Sequence, residues 1–333
     1  MARGRRKKAV KADELALGGT RPPVGVTVGE FVDEYASAAK LDVVEGRDGL
    51  DRKIRGAEIN RPGLALAGFF GRFAHKQIQI IGQTELSYLK TLTEERRVEV
   101  FTKLFSYSGI PCIIVARNRK PPGALLVKAR TKKVPVLVSK LRTTELIALT
   151  SDYLREKFAP QVKFHGNLLD VYGLGVLLLG EATTGKSECA LDLIMRGHKM
   201  VADDIVFVKR KFGEELIGEG SPFIHDHMEI RGLGILNVSR LFGVRAVLER
   251  KNVDIIMKIE MHDPDKEYDR TGLDVTAADV LGVDVPLITI PVVPGKNVST
   301  IVEVAAMNTL LKRRGYDSAR EFNEALMRGM ENE

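Results

Sequence analysis

The chain has 333 residues, 44% of them hydrophobic, with 51 Lys and Arg against 44 Asp and Glu and a net charge of +7; that is the make-up of a soluble globular protein long enough for two domains with a core each. No apolar run approaches the ~18 residues of a membrane span, and the start lacks the apolar segment of a secretory leader. Two cysteines, Cys112 and Cys189, leave no disulfide framework, so a reducing, cytoplasmic setting is expected.

Much of the positive excess sits in Met1 to Ala12, MARGRRKKAVKA. Such a run can bind nucleic acid or anionic lipid. No aromatic residue is interleaved to stack bases, so residues 1–25 are expected to be a basic disordered tail, and nucleic acid is not the expected partner.

Residues 26–155 read as an α/β domain. Thr27 with Glu30 three residues on predicts a capped helix start. Gly46 and Gly49 mark a turn, Ile54 to Ile59 a strand, and Asn60 to Gly63 a break. Gln77 to Gly82 is strand-like, and Thr84 onward, with Leu86 and Leu89, begins a helix. Ile110 to Val115 and Val134 to Val138 have the pattern of buried strands. Thr143 opens a helix expected to bury Leu146, Leu149 and Leu154. His75 stands alone in a polar loop and is expected at the surface. No chemistry can be assigned to this domain from its residues.

A charged hinge, Arg155 to Pro160, leads to a second domain at 160–328. Phe164 to Gly166 and Leu168 to Val171 read as two short strands that fold back into Leu174 to Leu179. There Gly180-Glu181-Ala182-Thr183-Thr184-Gly185-Lys186-Ser187 fits G-x-x-x-x-G-K-[ST] between an apolar strand and a helix. The glycines let backbone N–H groups turn inward onto phosphate oxygens, and the helix adds the positive end of its dipole. Lys186 would reach the β- and γ-phosphates and the Ser187 hydroxyl would ligate Mg²⁺. Cys189, on that helix, reads as a packing residue.

Asp203 and Asp204 end the next apolar strand, where carboxylates beside a phosphate loop commonly hold Mg²⁺ through water or act as a base, though a turn can also carry such a pair for local hydrogen bonds alone. Their mutual repulsion is expected to raise the pKa of one of them. His227 to Asn237 combines Glu229 and Arg231 with two glycines, equally readable as a site or as a strand with a surface ion pair. Arg270 follows a strong strand on a loop, where an arginine is usually solvated but could also meet transition-state charge. Leu287 to Asn297 is a strand ending in a Pro-Gly turn. Val298 to Arg313 is expected to be helical with Ile301, Val304, Ala305, Asn308 and Leu311 on one face, and Met330 to Glu333 a frayed end.

In order and spacing, FHG (Phe164 to Gly166), DVYGLGVLLLG, GKSE, RGHKMVADD, MEIRGLGILNV, YDR and PVVPGKN followed by IVEVAAMN resemble the HPr kinase/phosphorylase family. The likeness extends from residue 26 to about residue 328. It implies an N-terminal α/β domain and a C-terminal kinase domain built on the phosphate loop, related in fold to phosphoenolpyruvate carboxykinase. It also implies a cytosolic homohexamer that phosphorylates a serine of HPr, or an HPr-like phosphocarrier of the sugar phosphotransferase system, with ATP and Mg²⁺. By position, Gly180 to Ser187 would hold ATP, Ser187 and Glu229 would hold Mg²⁺, Asp204 would be the acid/base, His165 would assist it, and Lys186 and Arg270 would steady the phosphoryl group.

Two departures stand out. Thr183 replaces a glycine of the family's GDSGxGKS, and a β-branched residue tolerates positive φ poorly. PVVPGK replaces PVRPGR in the stretch tied to dephosphorylation, so Val293 removes a charge and Lys296 lacks the fork of an arginine. The kinase direction is therefore expected to persist and the phosphorylase direction to be weak. Another phosphoryl-transfer enzyme of the related fold, and a non-catalytic nucleotide sensor, are the alternatives; retention of Lys186, His165, Asp204 and Arg270 speaks against the sensor.

Overall fold

A computed structural model describes residues 8–11, 25–182, 184–211, 213–221, 224–268, 276–293 and 295–331. The chain forms two compact units, Pro23–Ala159 and Pro160–Glu333, and the latter also takes in a short strand, β1 (Lys8–Lys11).

In the first unit β2 (Val26–Thr27), α1 (Val28–Ala39), β3 (Leu41–Glu45), β4 (Lys53–Ile54), β5 (Ile59–Asn60) and α2 (Gly63–Leu66) come first. They are followed by β6 (Ile78–Ile81), α3 (Gln83–Thr91), α4 (Glu94–Leu104), β7 (Ile113–Val115), α5 (Gly123–Lys132), β8 (Val136–Ser139) and α6 (Thr143–Lys157). The start of α1 is set by a capping box: the Thr27 hydroxyl accepts the Glu30 N–H at 3.1 Å, and the Glu30 carboxylate accepts the Thr27 N–H at 2.7 Å. The sheet runs β3-β8-β7-β6-β5, parallel except for β3. Strand alternation sends Ile113, Val115, Val136 and Val138 to a core with Phe101, Leu104 and Leu125, and Ile114 and Leu137 to the other face with Phe31, Tyr35 and Leu154. Burying each such side chain contributes roughly 1.5–3 kcal/mol.

Three expectations need correction here. Ile54 to Ile59 is not one strand but β4 and β5, because the chain turns through Gly56 between different partners. In α6, Thr150 takes the buried place between Leu146 and Leu154, while Leu149 is 37% exposed; Leu149 lies three residues from Leu146 but on the outer margin of that stripe. His75 is half-buried, with Nδ1 at 2.6 Å from the Ser108 carbonyl and its ring against Phe73 and Tyr107.

The second unit contains β9 (Gln161–Val171), β10 (Leu174–Gly180), α7 (Lys186–Met195), β11 (Lys199–Ala202), β12 (Ile205–Arg210) and β13 (Leu216–Glu219). Then come β14 (His227–Ile230), β15 (Gly234–Asn237), α8 (Val238–Phe242), β16 (Arg250–Asn252), β17 (Ile255–Met261), β18 (Thr276–Val280), β19 (Val283–Val292), α9 (Val298–Arg313) and α10 (Ser318–Glu331). One large sheet runs β1-β18-β19-β17-β10-β9-β12-β13-β16, with β11 also paired to β9. β10, β17 and β19 are parallel, so their carboxyl ends share one edge. On one face Val176 and Leu178 pack with Ala190 and Leu193 of α7 and Val302 and Ala306 of α9; on the other, Leu177 and Leu179 pack with Phe164 and Val206.

Phe164–Gly166 and Leu168–Val171 belong to one continuous strand, β9, which changes partner along its length from β12 to β10 and β11. In α9 the buried stripe is Ser299, Val302, Glu303 and Ala306, whereas Ile301, Val304 and Leu311 are 37%, 54% and 43% exposed. That helix is apolar nearly all round, so periodicity alone could not choose its inner face. The chain end is helical as α10 up to Glu331, against the expected fraying from Met330. Part of the expected disordered tail is ordered: Lys8–Lys11 pair in parallel with Thr276–Asp279. β18 would otherwise be an edge strand with unpaired backbone groups, which template such an addition.

Candidate active site

The site lies at the carboxyl edge of β10. Gly180 has φ +155°, and a Cβ there would stand 2.3 Å from the Ile259 carbonyl of β17, so only glycine passes. Thr184 is 5% exposed and its hydroxyl donates to the Glu181 carbonyl at 2.9 Å, which ties the loop's far limb to its start. Gly185, at φ +78°, opens α7 with no side chain capping it. Among the described residues, no side chain accepts from the first N–H groups of α7, the arrangement that receives phosphate oxygens. Thr183 lies outside the described residues.

Lys186 is 7% exposed, and its Nζ donates to the Gly180 and Glu181 carbonyls at 2.7 and 2.8 Å. Burial pushes its pKa below the usual lysine range; the Asp203 and Asp204 carboxylates pull it back up and the Arg231 guanidinium pushes it further down. Two cations and two carboxylates therefore act on one another around the loop.

Ala182, Lys186, Ser187, Glu188, Glu229 and Arg231 line a single open cleft. Glu229 reaches it because HMEIR alternates: Met228 and Ile230 are buried beneath α7, and Glu229 and Arg231 are exposed. Among the described residues no ion pair joins Glu229 to Arg231, so the surface-pair reading of that segment is not what the fold makes of it.

β9 and β12 bring His165 opposite Ile205, and His165 Nδ1 lies 2.9 Å from Asp204 Oδ1. Asp204 has φ +65°, an uncommon conformation for a residue with a Cβ. Its carbonyl accepts the Gly166 N–H at 3.0 Å, and the Ile205 N–H reaches back across it to the Asp203 carbonyl at 2.8 Å. The carboxylate with a raised pKa is Asp203, chiefly through burial and only secondarily through Asp204. Cys189 is buried, and burial pushes its thiol up to about 12, as for a packing residue. Arg270 and Pro294 lie outside the described residues; Val293 and Lys296 stand in the turn before α9, closed by the Lys296 N–H donating to the Val293 carbonyl at 3.1 Å.

Two family models match almost end to end: the HPr Serine kinase N terminus over residues 26–154 and the HPr Serine kinase C-terminal domain over residues 156–326. The chain belongs to the HPr kinase/phosphorylase family. The HPr kinase/phosphorylase of Geobacter sulfurreducens is 42% identical over 308 residues, 92% of this chain and 96% of the relative. That of Brevibacillus brevis is 41% identical over 295 residues, 89% of this chain and 93% of its own. The solved Hpr(Ser) kinase/phosphatase from Coxiella burnetii is 32% identical, with a TM-score of 0.42, covering 46% of this chain and 98% of that one.

Within this family member, two residues of the site carried little sequence signal. Asn167 is 1% exposed and donates to Asp203, yet it sits in an apolar strand with nothing to distinguish it from a packing position. Arg231 was legible only as an alternating charge, and its nearness to Lys186 follows from the placement of the hairpin.

Proposed function

We propose that this protein transfers the γ-phosphoryl group of ATP to a serine of HPr or of an HPr-like phosphocarrier. The observation that carries this reading is the His165–Asp204 pair at 2.9 Å, held beside the phosphate loop by the Gly166 and Ile205 backbone bonds. A serine hydroxyl is a weak nucleophile; as its oxygen bonds to γ-phosphorus and the β–γ bridging bond breaks, its proton passes to the Asp204 carboxylate. His165 orients that carboxylate. Lys186 exchanges its two carbonyl partners for the β- and γ-phosphates, and Arg270 steadies the transferring group by its position in the family pattern.

Ser187 and Glu229 face one cleft, and among the described residues no group of three or more His, Cys, Asp or Glu could hold an ion. One hydroxyl and one carboxylate, completed by phosphate and water, suit Mg²⁺ rather than a metal needing an all-protein cage. Bound there, Mg²⁺ would neutralise charge on the β- and γ-oxygens. In reverse, an oxygen of inorganic phosphate bonds to the phosphoserine phosphorus as the serine O–P bond breaks; Asp204 takes the proton of the phosphate and passes it to the leaving serine oxygen, and pyrophosphate departs. Val293 and Lys296 make this direction the slower one. By likeness to the family, the protein works in the cytoplasm as a homohexamer; no described helix is long and apolar enough to cross a membrane.

The test is incubation with Mg-ATP and HPr, read by intact mass. One added phosphoryl group on a carrier serine, absent with Asp204→Asn, is expected; ATP binding without any transfer to HPr or its paralogues would overturn the reading. Phosphate given to the same preparation measures the reverse, and equal rates in both directions would refute the asymmetry.

A further inference from the structure

Asp203 has no part in the proton transfer just described, yet its carboxylate ties two elements, β9 and β14, to the turn between β11 and β12. Oδ1 accepts a hydrogen bond from Nδ2 of Asn167 on β9. Oδ2 accepts the Glu229 N–H of β14 at 2.9 Å. The main chain of Asp203 closes the turn that holds Asp204 at φ +65°, a conformation that persists only where its surroundings over-determine it.

The hairpin matters because β14 pairs only with β15, outside the large sheet. Among the described hydrogen bonds, the one from Glu229 to Asp203 is the tie between β14 and that sheet. Apolar contacts of Met228 and Ile230 hold the hairpin down, but such contacts are non-directional and allow sliding. The Asp203 bond fixes the position along the strand, and with it the reach of Glu229 and Arg231 over the phosphate loop.

We propose that Asp203 is a positioning residue, which sets the separation between Asp204 and the hairpin bearing Glu229 and Arg231, acting as a hydrogen-bond acceptor and not as the base. The proposal rests on the reading of Asp204 as the acid/base. Both oxygens of Asp203 already accept from neighbours, and the group is half-buried. Asp204 is the carboxylate open to a substrate, its side chain 60% exposed.

Replacement by asparagine separates acceptor from charge. In Asp203→Asn one oxygen remains for the Glu229 N–H, and the new amide can donate to Asn167 once that side chain turns its own oxygen inward. Asp203→Ala loses both bonds. A misplacement of about 1 Å near a reacting group costs ~100-fold in rate, so Asp203→Ala is expected to lose about that in kcat with little change in the KM for ATP. Asp203→Asn is expected to recover to within about tenfold of wild type. Amide hydrogen exchange at Glu229, followed on the free full-length protein, should quicken in Asp203→Ala and stay slow in Asp203→Asn. Asn167→Ala, which removes one bond only, supplies an intermediate case and a substitute if Asp203→Ala does not fold.

Rate tracking Glu229 protection across these variants supports the proposal. Asp203→Asn as inactive as Asp204→Asn with Glu229 still protected would overturn it, since charge would then be what matters. Unchanged exchange in Asp203→Ala would overturn it too. A wild-type protein that transfers nothing to a carrier would instead remove the functional reading, while the exchange comparison still decides whether Asp203 fixes the hairpin.

Discussion

β6 passes through Gly82 into α3, and β10 passes through Gly180 to Gly185 into α7, so each unit contains a strand, a glycine turn and a helix in succession. At the first junction the chain closes its own helix start. The Glu85 carboxylate accepts the Gly82 N–H at 2.9 Å, is 6% exposed, and is held by Arg61 at 2.7 Å. At the second, no side chain among the described residues caps the helix start at Gly185, and the nearby cation Lys186 is parked on loop carbonyls. A helix start becomes an anion site when its donors are left open, and a structural joint when a carboxylate of the chain itself fills them.

The largest expected effect comes from taking the cation off the open junction. Lys186→Ala should slow phosphoryl transfer by ~1,000-fold, read by single-turnover kinetics, while leaving the melting of Pro23–Ala159 unchanged. A loss of less than tenfold would mean the open junction is not where phosphate is held. Next, Gly180→Ala places a Cβ 2.3 Å from the Ile259 carbonyl, and should destabilise the Pro160–Glu333 unit by about 2–4 kcal/mol. Denaturant unfolding checks this; a neutral result would show that the strand-to-loop passage tolerates any residue.

At the closed junction, Glu85→Gln should cost the Pro23–Ala159 unit about 1–2 kcal/mol through the weakened cap and ion pair. Transfer per folded molecule should not change; if it falls, the two junctions are not functionally separate. The smallest effect concerns Glu303 of α9, which pairs with His198 at 2.9 Å and Arg196 at 3.0 Å just beyond α7. Burial pushes its carboxyl up, but His198 and Arg196 outweigh that and hold it below the ordinary 4.5. The ionised form therefore stabilises the fold fully above that value, and the contribution drains away as pH falls through the lower folded-state value. Stability curves of wild type and Glu303→Gln should differ at pH 7 and converge in acid; a constant gap would remove the charge from the account.

The phosphate loop was fully legible in the sequence, because strand, glycines and Lys-Ser are contiguous and each residue type has a local reason to be there. Asp204 and His165 were singled out through the family pattern, which implied roles for them but not their contact. Burial distinguishes the two adjacent acids, which the sequence could not: Asp203 turns in against Asn167 and the β14 backbone, and Asp204 turns out to His165. Periodicity misjudged α9, whose apolar residues surround the helix, and missed α10. The strand β1 was hidden for another reason: MARGRRKKAVKA has the composition of a solvated arm, and only the unpaired edge of β18 gives Lys8–Lys11 something to pair with.

The sequence alone determined the two α/β units, the family, and the glycine loop between β10 and α7, since these follow from contiguous patterns of apolar period, glycine and charge. Tertiary structure alone decided which residues from distant segments meet. Asn167 with Asp203, Asp203 with the Glu229 backbone, and Glu303 with His198 are separated by 36, 26 and 105 residues. A hydrogen bond depends on distance and direction in space, and neither is written in the local order of the residues.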